Sequence, residues 1–253
     1  MKPSNSLERV LGVLDVFSED RLEWTPEDLM VRLGHSRPTL YRYLKILKDA
    51  GLLMSARDGS VTLGPRVVEM DYLARRSDAL VLSGQSHLKA LTARHPCNAM
   101  ILRWYGNKIL CVVSETSARN LVSSYPRGRP MPLGRGAIAR SIMAFLPRSR
   151  LTPLIEQNLD DLRSVGLGMD VEEVRQSMKR VRRAGHAVAF GEVTAGAVGI
   201  AAPVLDDRGT PIASVCVTIA GTLVDGAGID RIAAEVKSVA SAISMAQGRA
   251  DKT

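Results

Sequence analysis

The stretch 25-TPEDLMVRLGHSRPTLYRYLKILKDAGLLMSARDGSVTL-63 carries the strongest local signals in the chain. Thr25 and Pro26 suit the cap and the first position of a helix. Gly34 suits the end of that helix, because glycine adopts the left-handed conformation at little steric cost. A second helix is expected to begin after Ser36, which suits its cap. Two helices joined by so short a turn predict a helix-turn-helix unit.

The second of these helices has two different faces. Leu40, Leu44 and Leu47 follow the three-and-four spacing of a buried stripe. The other face gathers basic and polar residues: Arg37, Pro38, Tyr41, Arg42, Lys45 and Lys48. A solvated helix face usually mixes both signs of charge, whereas this one has no acid before Asp49. The face therefore predicts contact with double-stranded DNA, and a plain solvated helix is the alternative.

Positions along such a helix differ in what they reach. Residues near its start reach base edges, so Arg37, Thr39 and Arg42 are expected to read sequence, and an arginine can bind guanine through two hydrogen bonds. Lys45 and Lys48 are expected to contact phosphates, which position the protein without specifying sequence. The other candidate contacts at the helix start are Ser36, Pro38 and Tyr41. Tyr43 suits either a phosphate contact or the core.

Two short extended runs follow this helix and flank Asp58-Gly59. That dipeptide is a strong signal for a two-residue hairpin. The hairpin is expected to form a wing, with Arg57 at its tip placed to reach a neighbouring groove or phosphate.

Charge is distributed unevenly along the 253 residues, whose net charge is +8. Residues 1–78 contain twelve Lys or Arg and twelve Asp or Glu, so the whole excess lies in the remainder. A local basic cluster, and not bulk charge, therefore supports DNA binding. A nonspecific nucleoid-type binder would instead spread cations over the whole N-terminal part, and the balanced count argues against it.

Other features of the sequence bear on location and thiol chemistry. The chain opens without a signal peptide, on an expected amphipathic helix with Leu7, Val10, Leu11, Leu14 and Phe17 on one face. No apolar run approaches membrane-spanning length, so a cytoplasmic protein without a membrane partner is expected. The cysteines Cys97, Cys111 and Cys216 are odd in number and widely separated, which favours buried reduced thiols.

At this point the residues resemble a known family, the IclR-type regulators. The segments that resemble its winged N-terminal domain are Ser6-Leu7-Glu8-Arg9-Val10-Leu11 through Phe17, Leu33-Gly34-His35-Ser36, Thr39 to Leu44, Gly51-Leu52 and Leu63-Gly64-Pro65-Arg66. Segments 132–147 and 191–204 resemble the family's effector-binding domain. The resemblance implies a DNA-binding head, a linker helix and a small-molecule sensor resembling a GAF fold, usually in a dimer or a dimer of dimers.

The expected fold class is α+β. We expect a winged helix-turn-helix DNA-binding domain over residues 1–66, a linker helix over 67–78, and a GAF-like, antiparallel-sheet effector-binding and oligomerisation domain over 79–253. Within the last domain the patterns predict a hairpin at Gly106-Asn107 and a second pair of strands joined by residues 206–209. The flanking helices are expected over 82–94, 170–184 and 229–245.

The residue patterns give no support for catalysis. Asp160-Asp161 and Asp206-Asp207 are adjacent carboxylates better suited to loops than to acid–base work. The four histidines lack metal-ligand spacing, so no metal and no cofactor are expected. Gly134-Arg135-Gly136 lacks the preceding strand of a dinucleotide-binding loop. A metabolic enzyme or ligand-binding protein with an N-terminal interaction module remains the alternative function.

The segment 125–137 brings glycines and cations to the start of a helix expected to reach Phe145. Free amides at a helix start bind carboxylate or phosphate. The resemblance implies that the amides of Gly136 and Ala137 hold the acid group of an effector. Arg135 either pairs with an anionic ligand or faces solvent.

By the same resemblance the opposite wall of the pocket comes from Phe190 or its neighbour Ala189, and from Gly199, Cys216 and Thr218. Plain core packing is the alternative for Phe190 and Cys216. The expected function is a regulator whose binding to a roughly palindromic operator, as a homodimer or dimer of dimers, is controlled by a small, carboxylate-bearing organic acid.

Overall fold

The structure, a computed structural model, describes residues 5–120, 122 and 125–250. The chain divides into two compact units, Met1–Ser77 and Asp78–Thr253. No helix in the described ranges combines the length and the apolar character needed to cross a membrane.

The first unit is built around one core, formed mainly by two of its helices and a small hairpin. Its elements are α1 (Ser6–Leu11), α2 (Pro26–Leu33), α3 (Arg37–Asp49), β1 (Leu53–Ser55), β2 (Val61–Leu63) and α4 (Pro65–Ser77). The stripe of Leu40, Leu44 and Leu47 is buried in this core, where it meets Leu29 of α2. Burying each such leucine contributes about 1.5–3 kcal/mol. The hairpin is held to the rest of the unit through Trp24, whose backbone exchanges two hydrogen bonds with Val61, at 3.0 and 2.8 Å.

The turn between α2 and α3 forms as predicted, with one difference at its second cap. Thr25 Oγ1 accepts a hydrogen bond from the Asp28 amide at 3.1 Å, and Gly34 is left-handed at φ 66°. Ser36 occupies the N-cap position of α3, but its hydroxyl donates to Thr39 Oγ1 at 3.0 Å and accepts no hydrogen bond from a backbone amide. Pro38 explains part of this difference, because proline removes one of the amides that a cap would satisfy.

The wing hairpin turns through three residues, not the two expected. Ser55 and Val61 form the last pair in the register of β1 and β2. The Ala56 amide donates to the Ser60 carbonyl at 2.9 Å, and the Gly59 amide donates to the Ala56 carbonyl at 3.2 Å. Gly59 has φ 84°, which matches a three-residue hairpin ending in a left-handed glycine.

The N-terminal apolar pattern is arranged differently from the single helix that was expected. α1 ends at Leu11, and a 3-10 turn spans Leu14–Val16. Val13 enters the core, whereas Leu7 is 76% exposed and Leu11 is 58% exposed. Glycine at position 12 weakens the continuation of the helix. The break after Leu11 changes which side chains face inward and leaves these two leucines on the surface.

Helix α4 covers the segment for which a linker helix was expected. It runs over Pro65–Ser77, begins inside the first unit and buries none of its side chains. Val68, Met70, Tyr72 and Leu73 are all more than half exposed. Within the first unit, the helix therefore presents an exposed apolar surface.

The second unit is built on one antiparallel sheet with helices on its faces. Its elements are α5 (Ala79–Arg94), β3 (Cys97–Trp104), β4 (Ile109–Thr116), β5 (Pro130–Met131), α6 (Gly136–Met143), α7 (Arg148–Gln157), α8 (Leu159–Ser164), α9 (Val171–Ala184), β6 (Ala187–Phe190), β7 (Ala197–Leu205), β8 (Pro211–Ala220) and α10 (Gly226–Ala250). The strand order is β5-β4-β3-β8-β7-β6. The two predicted strand pairs are thus one sheet, because β3 pairs with both β4 and β8.

Alternation along β3 separates the two faces of this sheet. Cys97, Ala99 and Ile101 lie in a core with residues of α5 and α10. Met100 and Leu102 lie in a second core with residues of α6. The tight turn expected at Gly106-Asn107 is present: Gly106 has φ 88°, and the Tyr105 amide donates to the Lys108 carbonyl at 2.9 Å.

Gly64 gives a direct test of how the wing is held in the first unit. A Cβ at this position would lie 2.2 Å from the Gly51 carbonyl oxygen, a backbone atom that no rotamer change can move. We expect Gly64→Ala to lower the free energy of unfolding of this unit by about 2–3 kcal/mol. The measurement is urea denaturation followed by Trp24 fluorescence in a Trp104→Phe background, which leaves Trp24 as the single tryptophan of the two in the chain.

Gly59→Asn is the matched control, since position 59 has open space around it and asparagine tolerates a positive φ. Its transition should stay close to that of the Trp104→Phe parent. A Gly64→Ala transition equal to that of the parent would contradict the close approach at position 64.

Candidate functional site

The exposed face of α3 is the first candidate site. Arg37, Pro38, Tyr41, Arg42 and Lys45 are exposed there, while Thr39 and Lys48 are half-buried. Ser36 at the cap is also exposed. The structure therefore brings these eight predicted residues to one surface at the start and outer side of the helix.

The cations of this surface are available to a partner. None of Arg37, Arg42, Lys45, Lys48 and the exposed Arg57 of the wing forms an ion pair with any residue that the structure describes. Their contacts are with uncharged groups: the Arg37 guanidinium lies 5.5 Å from the centre of the Tyr41 ring, and Lys48 Nζ donates to Ser55 Oγ at 2.8 Å. An unpaired cation on the exposed face of a helix can neutralise a phosphate without first breaking an internal salt bridge.

Tyr43 belongs to the core and not to this surface. It is 2% exposed, and its ring meets His35 edge-on with centroids 5.4 Å apart. The i+3 and i+4 spacing from Leu40 and to Leu47 places it on the buried side.

The second candidate site is a pocket in the second unit, between the sheet and the start of α6. It encloses about 490 Å³, including the mouth that opens to solvent. Its lining residues are Met100, Tyr125, Met131, Gly136, Ala137, Ile138, Ala189, Gly191, Glu192, Val193, Thr194, Ala197, Gly199, Cys216 and Thr218. Six of the eight residues expected at an effector site line it.

Arg135 and Phe190 lie outside the pocket. Arg135 is directed to Asp161, with Nη2 2.8 Å from Oδ1, so its charge is already paired in this structure. Phe190 is 65% exposed, because neighbouring residues of a strand face opposite sides and Ala189 takes the inward position. Of the two alternatives for the β6 wall, the structure therefore places Ala189 in the pocket.

The pocket has one charged corner, which sequence reasoning missed. Glu192 Oε2 accepts a hydrogen bond from the Gly136 amide at 2.9 Å, and Glu192 Oε1 is bonded to Arg140 Nη2. Arg140 also donates to the Val188 carbonyl at 3.0 Å and is only 8% exposed. A guanidinium this buried requires an acidic partner. The presence of Arg140 in the apolar helix α6 was therefore the sequence signal that such a partner exists.

The rest of the pocket is mainly apolar, with a few neutral polar groups. Burial raises the pKa of the Cys216 thiol to about 12 and that of the neighbouring Cys111 thiol to about 11, so both stay protonated at neutral pH. Thr218 lies beside Asn98 in the register of β8 and β3. Asn98 is fully buried, and its Nδ2 has no hydrogen-bond partner among the described residues.

Comparison with known proteins finds matches to both parts of the chain. A family model described as "IclR helix-turn-helix domain" matches residues 6–55, and one described as "Bacterial transcriptional regulator IclR C-terminal" matches residues 87–245. The HTH-type transcriptional regulator XynR of Escherichia coli strain K12 is 24% identical over 245 residues, which cover 96% of this chain and 97% of that relative.

Solved structures share the fold along almost the whole chain. A regulator of the IclR type from Silicibacter sp. TM1040 superposes with a TM-score of 0.84 at 19% identity, covering 96% of each chain. An IclR homologue from Microbacterium hydrocarbonoxydans, solved in complex with 4-hydroxybenzoate, gives a TM-score of 0.74 at 23% identity and covers 97% of this chain and 100% of its own. Because the C-terminal family model alone matches more than half of the chain, this protein belongs to the IclR family of bacterial transcriptional regulators.

Proposed function

We propose that this regulator binds a roughly palindromic operator as a symmetric homodimer, or as a dimer of dimers, and that a small organic acid controls this binding. The DNA-binding proposal rests on the exposed face of α3, whose cations form no ion pair with any described residue. A helix of this kind enters the major groove with its first residues at the base edges. A DNA partner is consistent with the expected cytoplasmic location.

The roles along α3 follow from position. Arg37, Thr39 and Arg42 are assigned to base edges, and Ser36, Pro38 and Tyr41 complete the surface at the helix start. Lys45 and Lys48, on later turns, are assigned to phosphates, and Arg57 of the wing to a neighbouring groove or phosphate.

A twofold partner is supported by apolar side chains that one chain leaves uncovered. Leu7 and Leu11 of α1 and Val68 and Leu73 of α4 are all more than half exposed within the first unit. Isolated exposed leucines are common, but several on two helices of one small unit favour a protein–protein surface. A second copy of the chain is the partner that a palindromic operator requires.

The ligand half of the proposal rests on the pocket. The start of α6 offers backbone amides at Gly136 and Ala137, and the buried Arg140 supplies a fixed positive charge beside them. Helix N-termini and arginines are the groups that bind carboxylates best. The 4-hydroxybenzoate held by the Microbacterium homologue bears a carboxylate, which makes that acid a reasonable first probe here.

The DNA assignment predicts different effects for two cations of α3. Arg42→Ala should weaken binding to an operator, selected from a random duplex library, by about 1–3 kcal/mol and relax the preference at one base pair. Lys48→Ala should weaken selected and unrelated duplexes by similar factors and lower the salt dependence of binding. Fluorescence anisotropy at several salt concentrations measures both effects.

Lys108→Ala, in the exposed turn between β3 and β4, removes the same charge away from this surface and should leave DNA affinity unchanged. The assignment of Arg42 fails if Arg42→Ala keeps the affinity and the base preference of the wild type.

We predict that a larger side chain at Gly199 removes the effect of organic acids on operator binding. Gly199 lines the pocket with an ordinary backbone conformation, and a Cβ there would lie 3.7 Å from the Ala137 Cβ, so a larger side chain fills the space. In the wild type, at least one small organic acid from a panel that includes 4-hydroxybenzoate should change operator affinity by about fivefold or more. Gly199→Val should abolish that response and retain operator binding without acid.

Gly226→Val is the matched control, because no atom lies within 4 Å of a Cβ at position 226. An equal response to acid in the wild type and in Gly199→Val would place the effector elsewhere.

A further inference from the structure

The anion position of the pocket is already filled by a side chain of this protein. Glu192 accepts hydrogen bonds from the Gly136 amide and from Arg140, and the Glu192 and Arg140 side chains are only 12% and 9% exposed. These are the groups to which the proposed function assigns the acid of the effector. The site is therefore built for a carboxylate, and in this structure the carboxylate is internal.

We propose that Glu192 is a stand-in for the effector's acid group, which holds the pocket in its unliganded state and is displaced when the effector binds. This inference rests on the proposed function, because it concerns the same pocket. Two ionised carboxylates that compete for one amide and one guanidinium repel each other strongly in a site removed from water. Binding of the acid is thus an exchange and not a simple addition.

The exchange leaves no buried charge without a partner. The incoming carboxylate replaces that of Glu192 at the Gly136 amide and at Arg140, so the guanidinium stays paired throughout. Removing the partner of a buried charge would be strongly unfavourable, and the exchange avoids that state. The released Glu192 is free to reach water.

The part of the ligand beyond its carboxylate then determines whether the ligand or Glu192 occupies the anion position. Met100, Met131 and Ala137 give the pocket an apolar lining that Glu192 itself does not occupy. A ligand with an apolar body gains from burial there, whereas a bare carboxylate gains almost nothing over Glu192. The structure therefore favours monocarboxylic acids with a compact apolar or aromatic body.

The exchange of carboxylates can change the conformation of the loop that carries Glu192. Its two ends are fixed: the Gly191 amide donates to the Ala197 carbonyl at 2.7 Å, and the Gly221 amide donates to the Gly196 carbonyl at 2.8 Å. Both end glycines have positive φ, at 66° and 72°. Val193, in the middle of the loop, lies against the start of α6, where its Cγ2 would be 2.9 Å from a Cβ at Gly136. Displacement of Glu192 thus frees the middle of the loop from α6 and leaves its ends attached.

The test asks whether an external carboxylate can replace the internal one. In Glu192→Ala, the side chain that filled the anion position is gone and Arg140 has lost its acid. Sodium acetate should then raise the midpoint of thermal unfolding of this variant by about 3 °C or more relative to sodium chloride at equal concentration. The wild type should shift by less than about 1 °C, because Glu192 occupies the position.

Glu156→Ala is the matched control, since Glu156 is an exposed carboxylate of α7 in the same unit. It should behave like the wild type. Glu192→Gln guards against a Glu192→Ala chain that fails to fold: its neutral side chain holds the position less firmly, so acetate should stabilise it more than the wild type. Equal acetate shifts in the wild type, the control and the Glu192 variants would overturn the proposal.

All arms of this experiment use the full chain without DNA. Their outcome therefore reports on the anion position alone. If acetate rescues Glu192→Ala and no acid alters operator binding, the stand-in role of Glu192 survives and the proposed control of DNA binding fails. If acids alter operator binding and acetate shifts all variants equally, the reverse conclusion holds.

Discussion

The ion pair between Glu192 and Arg140 forms the charged edge of the pocket in the second unit. Arg140 lies on a helix whose residues are buried along its whole length, Gly136–Met143, and a guanidinium in such a place is tolerated only with a charged partner. The same side chain donates to the Val188 carbonyl, so one residue of α6 is tied to β6 and to the loop that follows it. These polar contacts act together with the apolar packing of α6 against the sheet, and the pocket lies at the start of this helix.

Charge is distributed differently in the DNA-binding part of the chain. Residues 1–78 carry equal numbers of acidic and basic side chains, so their net charge is expected to give little long-range attraction to nucleic acid. The cations of α3 and of the wing tip form no ion pair with any described residue. This arrangement favours docking in one orientation over nonspecific adhesion, because distant charges are screened while close contacts with phosphates are not. The excess positive charge lies in the remainder of the chain.

Local signals in the sequence predicted the elements well, and distant contacts explain what they missed. The cap at Thr25 and the left-handed Gly34 depend on neighbouring residues, so the helix-turn-helix unit could be read directly. Asp58-Gly59 located the wing turn, but its length depends on the pairing of Ser55 with Val61. β3 and β8 lie more than 100 residues apart in the sequence, so no local pattern indicated that they pair. The partner of Arg140 likewise lies 52 residues away, so the buried cation alone could not identify it.

Acid and operator must influence each other equally if they act on one equilibrium between two states of the chain. Isothermal titration of an organic acid that binds the pocket, first into the free protein and then into its complex with operator DNA, measures this coupling directly. If both act on one such equilibrium, the Kd for the acid differs between the two titrations by the same factor by which the acid changes the Kd for the operator. An unchanged Kd for the acid in the presence of operator would contradict this coupling.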